Sequence, residues 1–158
     1  MSPEACLRSS EQGPFDGILG FSQGANVATI VCSHLWKDSP PPVSGPLRFA
    51  VLMCGTQFGW AAQLPHLFPV DGSSTVLKAP SLHVHGDIDP FKPTSQVLAR
   101  LWAAVDEEGA ALQRTVCHPS GHRPLPPGRD ASATVQAVKH FFIEQRRMQP
   151  TEQQPVDS

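Results

Sequence analysis

The residue types that could do chemistry in this sequence sit in three short segments. Gly20-Phe21-Ser22-Gln23-Gly24 spells G-x-S-x-G, Gly86-Asp87-Ile88-Asp89 offers two carboxylates, and His118-Pro119-Ser120-Gly121-His122 offers two imidazoles. A serine becomes a nucleophile when a histidine accepts its proton, and that histidine needs a carboxylate to orient it. G-x-S-x-G belongs to a sharp strand-to-helix turn that pushes the serine oxygen out above a sheet, where both flanking glycines are expected to relieve crowding. As a bare pattern it is weak, because chance produces it in about 5% of chains this long. Its context adds weight: an apolar strand precedes it, a helical period follows it, and acid and base come later in the order serine, acid, histidine.

Within each loop a choice stays open on spacing alone. Asp87 directly follows Gly86 and suits a turn-stabilising role, whereas Asp89 lies further along, where a carboxylate can reach the next loop. His118 belongs to a strand end and precedes a Pro, while His122 follows Ser120-Gly121 in a turn, so Asp89 and His122 are favoured as acid and base. A metallic reading competes, because His83-x-His85-x-Asp87 is the front of the H-x-H-x-D-H zinc pattern of metallo-β-lactamase-like hydrolases. Ile88 stands where the last ligand would be and cannot coordinate. Alternating histidines on a buried strand also occur as packed core residues, so no metal is expected. His34, His66 and His140 are read as surface or core residues.

These residues require strands to carry them. Residues 15–21 read as a strand, and Gly24, Ala28, Val31, Cys32 and Leu35 fall on one face of a following helix. Residues 47–54 form a second apolar run, 81–85 a third strand and 112–117 a fourth. A helix is expected over 93–108, with Val97, Leu98, Leu101, Trp102 and Val105 inward and Gly109 as its stop. A last helix would be capped by Asp130, with Val135, Val138 and Phe142 inward. Strands buried on both faces and alternating with helices predict an α/β fold with a parallel sheet, which directs the search to loops at the strands' carboxyl ends. Phe58, Trp60, Leu67 and Phe68, in the long insert over 55–80, could line an acyl pocket or anchor the loop to the core.

Composition narrows the remaining classes. The 158 residues allow one domain, expected over 1–148, with a polar, disordered tail over 149–158. The excess among the 17 prolines sits largely in 40–46 and 119–127, between periodic segments, and reads as rigid loops. A net charge of -2 without an extended basic run argues against nucleic acid, and no apolar stretch approaches a membrane span. The first ten residues lack the apolar core of a secretory signal, and the four cysteines are far apart with no C-x-x-C, three of them (Cys32, Cys54 and Cys117) inside apolar runs where a reduced thiol behaves as a small hydrophobe. The expectation is a cytoplasmic protein, with a nuclear location also open, that has neither a disulfide framework nor a zinc finger.

The phrases GPFDGILGFSQGA and PSLHVHGDIDP and the S-G-H turn at 120–122 together resemble the FSH-type serine hydrolases, a family of α/β-hydrolase esterases related to acyl-protein thioesterases. The resemblance runs from about residue 13 to 142. It implies Ser22 as nucleophile, Asp89 as acid, His122 as base, the Gln23 N–H as an oxyanion donor and Phe58, Trp60 and Phe68 as substrate-binding residues. The implied reaction is hydrolysis of a small carboxylic ester or thioester without metal or organic cofactor. The sequence departs from the family at both ends of this machinery. Family members begin with a strand and an L-H-G-F-type loop supplying a second oxyanion donor, whereas Ser22 here lies near the start. His122 is followed by Arg123-Pro124-Leu125-Pro126, where the family tends to have a hydrophobic residue. The expectation is an N-terminally truncated hydrolase, of low stability because its first strand becomes an exposed apolar edge and of weak activity because losing one oxyanion donor costs about 10²- to 10³-fold in rate. An alternative is a weakly catalytic remnant that pairs its exposed first strand with a partner.

Overall fold

Apolar side chains on alternate sides of short strands build this fold from the sheet outward. The computed structural model describes residues 15–36, 47–56, 77–128 and 131–147. Its strands are β1 (Gly17–Phe21), β2 (Phe49–Met53), β3 (Ser81–Gly86) and β4 (Gln113–His118). They form one four-stranded sheet in the order β1-β2-β3-β4, with every neighbouring pair parallel. Helices α1 (Gln23–Leu35), α2 (Lys92–Ala99) and α3 (Ala131–Arg147) complete the fold.

The period-2 alternation of β2 decides which helix covers which face. Ala50 and Leu52 pack with Ala25, Ala28 and Cys32 of α1 and Leu98 of α2. Val51 and Met53 pack with Leu82 and Val84 of β3 and with Phe141 of α3. The Phe49 ring meets Phe141 and Phe142 at centroid separations of 5.7 and 5.5 Å, within the range of aromatic pairing. A sheet buried on both faces at its centre is the α/β arrangement expected from the sequence. Its edges differ from that expectation: in β1, Leu19 is 57% exposed, and β4 has several exposed positions.

The structure corrects four local expectations. First, α1 buries Ala25, Asn26, Ala28, Thr29, Cys32 and Ser33, while Gly24 and Leu35 face outward. The polar members tolerate burial because they are bonded: Thr29 donates to the Ala25 carbonyl, Ser33 to that of Ile30, and Asn26 Oδ1 accepts from the Thr56 N–H. Second, the helix expected to run to residue 108 stops at Ala99. Trp102 bridges to Leu77 and Val105 to Ala111, and the Asp106 carboxylate accepts the Glu108 and Ala110 N–H groups to shape a turn through Gly109 at φ +84°. Leu101 and Trp102 are buried in this arrangement too, so apolar spacing alone does not separate it from a helix. Third, Cys117 is exposed, although it stands in an apolar run. Fourth, α3 turns Thr134 and Phe141 fully inward, with Val138 and Phe142 partly buried beside them. Asp130, its expected cap, and the tail lie outside the described residues. No helix among the described residues is long and apolar enough to cross a membrane.

The paired histidines of β3 are core residues. His83 Nε2 meets Ser81 Oγ at 3.2 Å, His85 Nδ1 meets Ser95 Oγ at 2.7 Å, and the two rings stack 6.4 Å apart. Burial, helped by the neighbouring His85, pushes the His83 pKa from 6.5 down to about 3, and burial also lowers that of His85. Both are therefore neutral in the fold at pH values where the unfolded chain begins to protonate them. The contribution of His83 is complete above pH 6.5 and is lost as the pH falls from there toward about 3, and that of His85 is lost in the same direction. Denaturant titrations from pH 6.5 down to about 5, above the main carboxylate range, should show stability falling, the His83 part of the slope approaching about 1.4 kcal/mol per pH unit. His83→Leu should flatten that dependence.

Candidate active site

Each chemically capable segment leaves the sheet at a carboxyl end. Ser22 follows β1 directly, with φ 54° and ψ -120°, a backbone that non-glycine residues rarely adopt and that costs about 1–3 kcal/mol. Two backbone bonds hold it there. The Ser22 N–H donates to the Met53 carbonyl of β2 at 2.9 Å, and the Ser22 carbonyl accepts from the Ala25 N–H at 3.1 Å. The strained turn lifts the hydroxyl above the sheet. A Cβ at Gly20 would lie 2.3 Å from the Gly24 carbonyl oxygen, so glycine is required there. Nothing lies within 4 Å of a Cβ at Gly24, so only one of the two flanking glycines is sterically demanded.

Asp87 and Asp89 separate by partner. Asp87 is exposed and pairs with Lys92 Nζ at 2.7 Å, which holds its pKa below the ordinary carboxylate value. Asp89 is buried; its N–H closes a turn onto the Gly86 carbonyl at 3.2 Å, and its Oδ1 accepts the Phe91 N–H at 2.8 Å. Burial raises the Asp89 pKa, but the Phe91 N–H and His122 lead the contributions that outweigh burial and leave it lowered, so it is a carboxylate at neutral pH.

His122 joins the two ends. Its Nδ1 lies 2.9 Å from Asp89 Oδ2 and its Nε2 lies 2.8 Å from Ser22 Oγ. An ionised carboxylate only accepts, so Nδ1 carries the proton and Nε2 is left to accept the serine hydroxyl. Phe21 and Phe91 flank the imidazole with ring centroids 5.2 and 5.1 Å away. Gln23 opens α1, and the first N–H groups of a helix have no intrahelical acceptor, which suits its N–H to an oxyanion. His118 is buried, with Nδ1 accepting the Ser120 N–H at 3.3 Å. The structure thus brings Ser22, Asp89 and His122 together and keeps Asp87 and His118 apart from that chain of bonds. Phe58, Trp60, Leu67 and Phe68 lie outside the described residues.

Sequence reasoning passed over Phe21, Phe91 and Cys54. Cys54 follows β2 at φ 47° and is fully buried, and its Sγ, an Asp89 carboxylate oxygen and a His122 ring nitrogen all lie within 4.8 Å of one another. Its position one residue past a strand end was the available signal.

The profile of the family described as serine hydrolase (FSH1) matches residues 7–133. The chain belongs to this family. Among relatives, Esterase OVCA2 of Bos taurus is 38% identical over 114 residues, covering 70% of this chain and 43% of that protein. Thioesterase FSL2 of Gibberella zeae is 30% identical over 145 residues, covering 84% of this chain and 54% of that protein. The family fold is visible at much lower identity: an esterase from Pyrobaculum calidifontis superposes with a TM-score of 0.55 at 11% identity, over 85% of this chain and 53% of that one. The chain therefore spans about half the length of the family members and neighbours it matches.

The elbow glycines give a paired test. Gly20→Ala should lower the melting temperature, because the added methyl displaces backbone. Gly24→Ala, on an exposed position of α1, should stabilise by up to about 1 kcal/mol through helix propensity. Thermal melts of the two variants check both directions.

Proposed function

We propose that this chain carries the catalytic half of a serine hydrolase that cleaves carboxylic esters or thioesters through a Ser22-His122-Asp89 triad. The observation that carries the reading is the continuous bonded chain from Ser22 Oγ to His122 Nε2, 2.8 Å, and from His122 Nδ1 to Asp89 Oδ2, 2.9 Å. Family membership supports the reaction class, and relatives are named both esterase and thioesterase.

In this reading His122 takes the hydroxyl proton as Ser22 Oγ attacks the acyl carbonyl. The Gln23 N–H stabilises the oxyanion, and His122 returns the proton to the departing alcohol or thiol. Water activated by the same histidine then hydrolyses the acyl-enzyme. The buried Asp89 carboxylate holds the imidazole in the required tautomer and stabilises its cationic form. No metal or organic cofactor enters these steps. Phe21 at 36% exposure and Phe91 at 37% flank the imidazole with accessible apolar surface, which favours an apolar acyl group over a charged one. A cytoplasmic location belongs to the same proposal, supported by the buried free thiols Cys32 and Cys54.

The place of β1 at an edge among the described strands supports a second reading, an interaction module that adds a partner's strand there. Kinetics separate the two. With p-nitrophenyl esters of graded chain length, hydrolysis should be highest for an apolar acyl chain and absent in Ser22→Ala. Asp89→Asn should lower kcat by about 10⁴-fold by stabilising the wrong tautomer. Hydrolysis that survives Ser22→Ala contradicts the triad.

A further inference from the structure

We propose that Cys54 and His118 are positioning residues for the catalytic base, acting together on the carbonyl oxygen of Arg123, the residue after His122. The inference rests on His122 being that base and adds two residues to its support.

Strand order creates the need for such support. Ser22 follows β1 and the His122 loop follows β4, the two edges of the sheet among the described strands. Three strand spacings separate them, about 14 Å, so the loop has to run back over the ends of β3 and β2 to reach the serine. Contacts mark its path. At β3, a Cβ on Gly86 would fall 2.3 Å from the Gly121 carbonyl oxygen and 2.4 Å from that of Ser120, so the loop lies directly on the strand end. At β2, the Cys54 thiol meets the Arg123 carbonyl at 3.3 Å, within the longer reach of sulfur.

The second hold comes from the strand that launches the loop. His118 Nδ1 accepts the Ser120 N–H at 3.3 Å, which assigns the proton to Nε2, and Nε2–H donates to the same Arg123 carbonyl at 3.0 Å. The Arg123 N–H bonds back to the Gly121 carbonyl at 2.9 Å and closes a tight turn with His122 at its centre. The two peptides flanking the base are therefore held to each other within the turn, and the next peptide, Arg123-Pro124, is held at its carbonyl by two side chains that are 0% and 1% exposed. Cys54 adopts a left-handed backbone to deliver its thiol, an uncommon conformation for a residue with a Cβ.

The test compares donor-removing with donor-retaining variants of the 158-residue chain: Cys54→Ala against Cys54→Ser, and His118→Leu against His118→Gln. Two readouts are taken, ester hydrolysis and the far-downfield proton resonance of the His122-Asp89 hydrogen bond. Cys54→Ala and His118→Leu should lower kcat about 10- to 100-fold with KM little changed, as expected when a reacting group is misplaced by a fraction of an ångström to an ångström. Both should shift or broaden the resonance, while Cys54→Ser and His118→Gln recover most of each signal. If His118→Leu does not fold, the Cys54 pair decides, because its members differ in the donor and hardly in volume. A lowered melting temperature with unchanged kcat and unchanged resonance makes these residues merely structural and overturns the proposal, as does absence of the resonance in the parent chain. A parent chain that hydrolyses no ester, yet shows the resonance and its dependence on Cys54 and His118, overturns the catalytic reading and leaves the positioning intact.

Discussion

Everything at this site depends on one loop crossing the sheet. Ser22 and His122 arise from strands at opposite edges of the described sheet, yet their reactive atoms are 2.8 Å apart. In a parallel sheet all strand ends emerge on the same side, so a loop from one edge can travel along that rim without entering the core. The pinning points lie where the rim passes: Gly86 at β3, Cys54 at β2 and the Asp89 carboxylate between the loops. The Asp89-His122 bond fastens the third loop to the fourth, and the His122-Ser22 bond fastens the fourth to the first.

The elements beneath the rim serve this crossing. β2 and β3 are the central strands, and their side chains fill both cores, with Ala50 and Leu52 toward α1 and Val51, Met53, Leu82 and Val84 toward α3. That packing fixes the ends from which Cys54 and Asp89 project. The two β3 histidines are part of the same frame. Their nitrogens bond to Ser81 and Ser95, and burial keeps them neutral, so neither adds a charge beside the Asp89 carboxylate. Ser22 holds the strained conformation of the elbow because β2 grips its N–H and α1 begins at the next residue. Strain that neighbouring packing enforces is what keeps a nucleophile exposed.

Much of this was legible in the sequence, for identifiable reasons. The elbow was readable because glycine, an apolar strand and a helical period occur together around Ser22, and a parallel α/β sheet followed from apolar runs alternating with helical ones. Asp89 could be preferred over Asp87 but not decided by spacing, because the decision depends on the crossing loop and on Lys92 engaging Asp87. Cys54 reads as a small hydrophobe, because a position one residue past an apolar strand marks the rim of the site and not the carbonyl that the thiol will face. The segment after Ala99 was misread for a related reason: Leu101 and Trp102 are buried whether the chain coils or bridges to Leu77, and the Asp106 turn decides between them. Gly24 was credited with relieving crowding that falls on Gly20 alone.

The central claim, that the crossing loop activates Ser22, is tested most directly by locating the adduct of a fluorophosphonate probe. Mass spectrometry of the labelled and digested 158-residue chain should find one adduct per chain, on the peptide bearing Ser22, formed by the folded protein and absent after denaturation or in Ser22→Ala. No adduct on the folded chain, an adduct on another residue, or equal labelling of the unfolded chain would contradict the account.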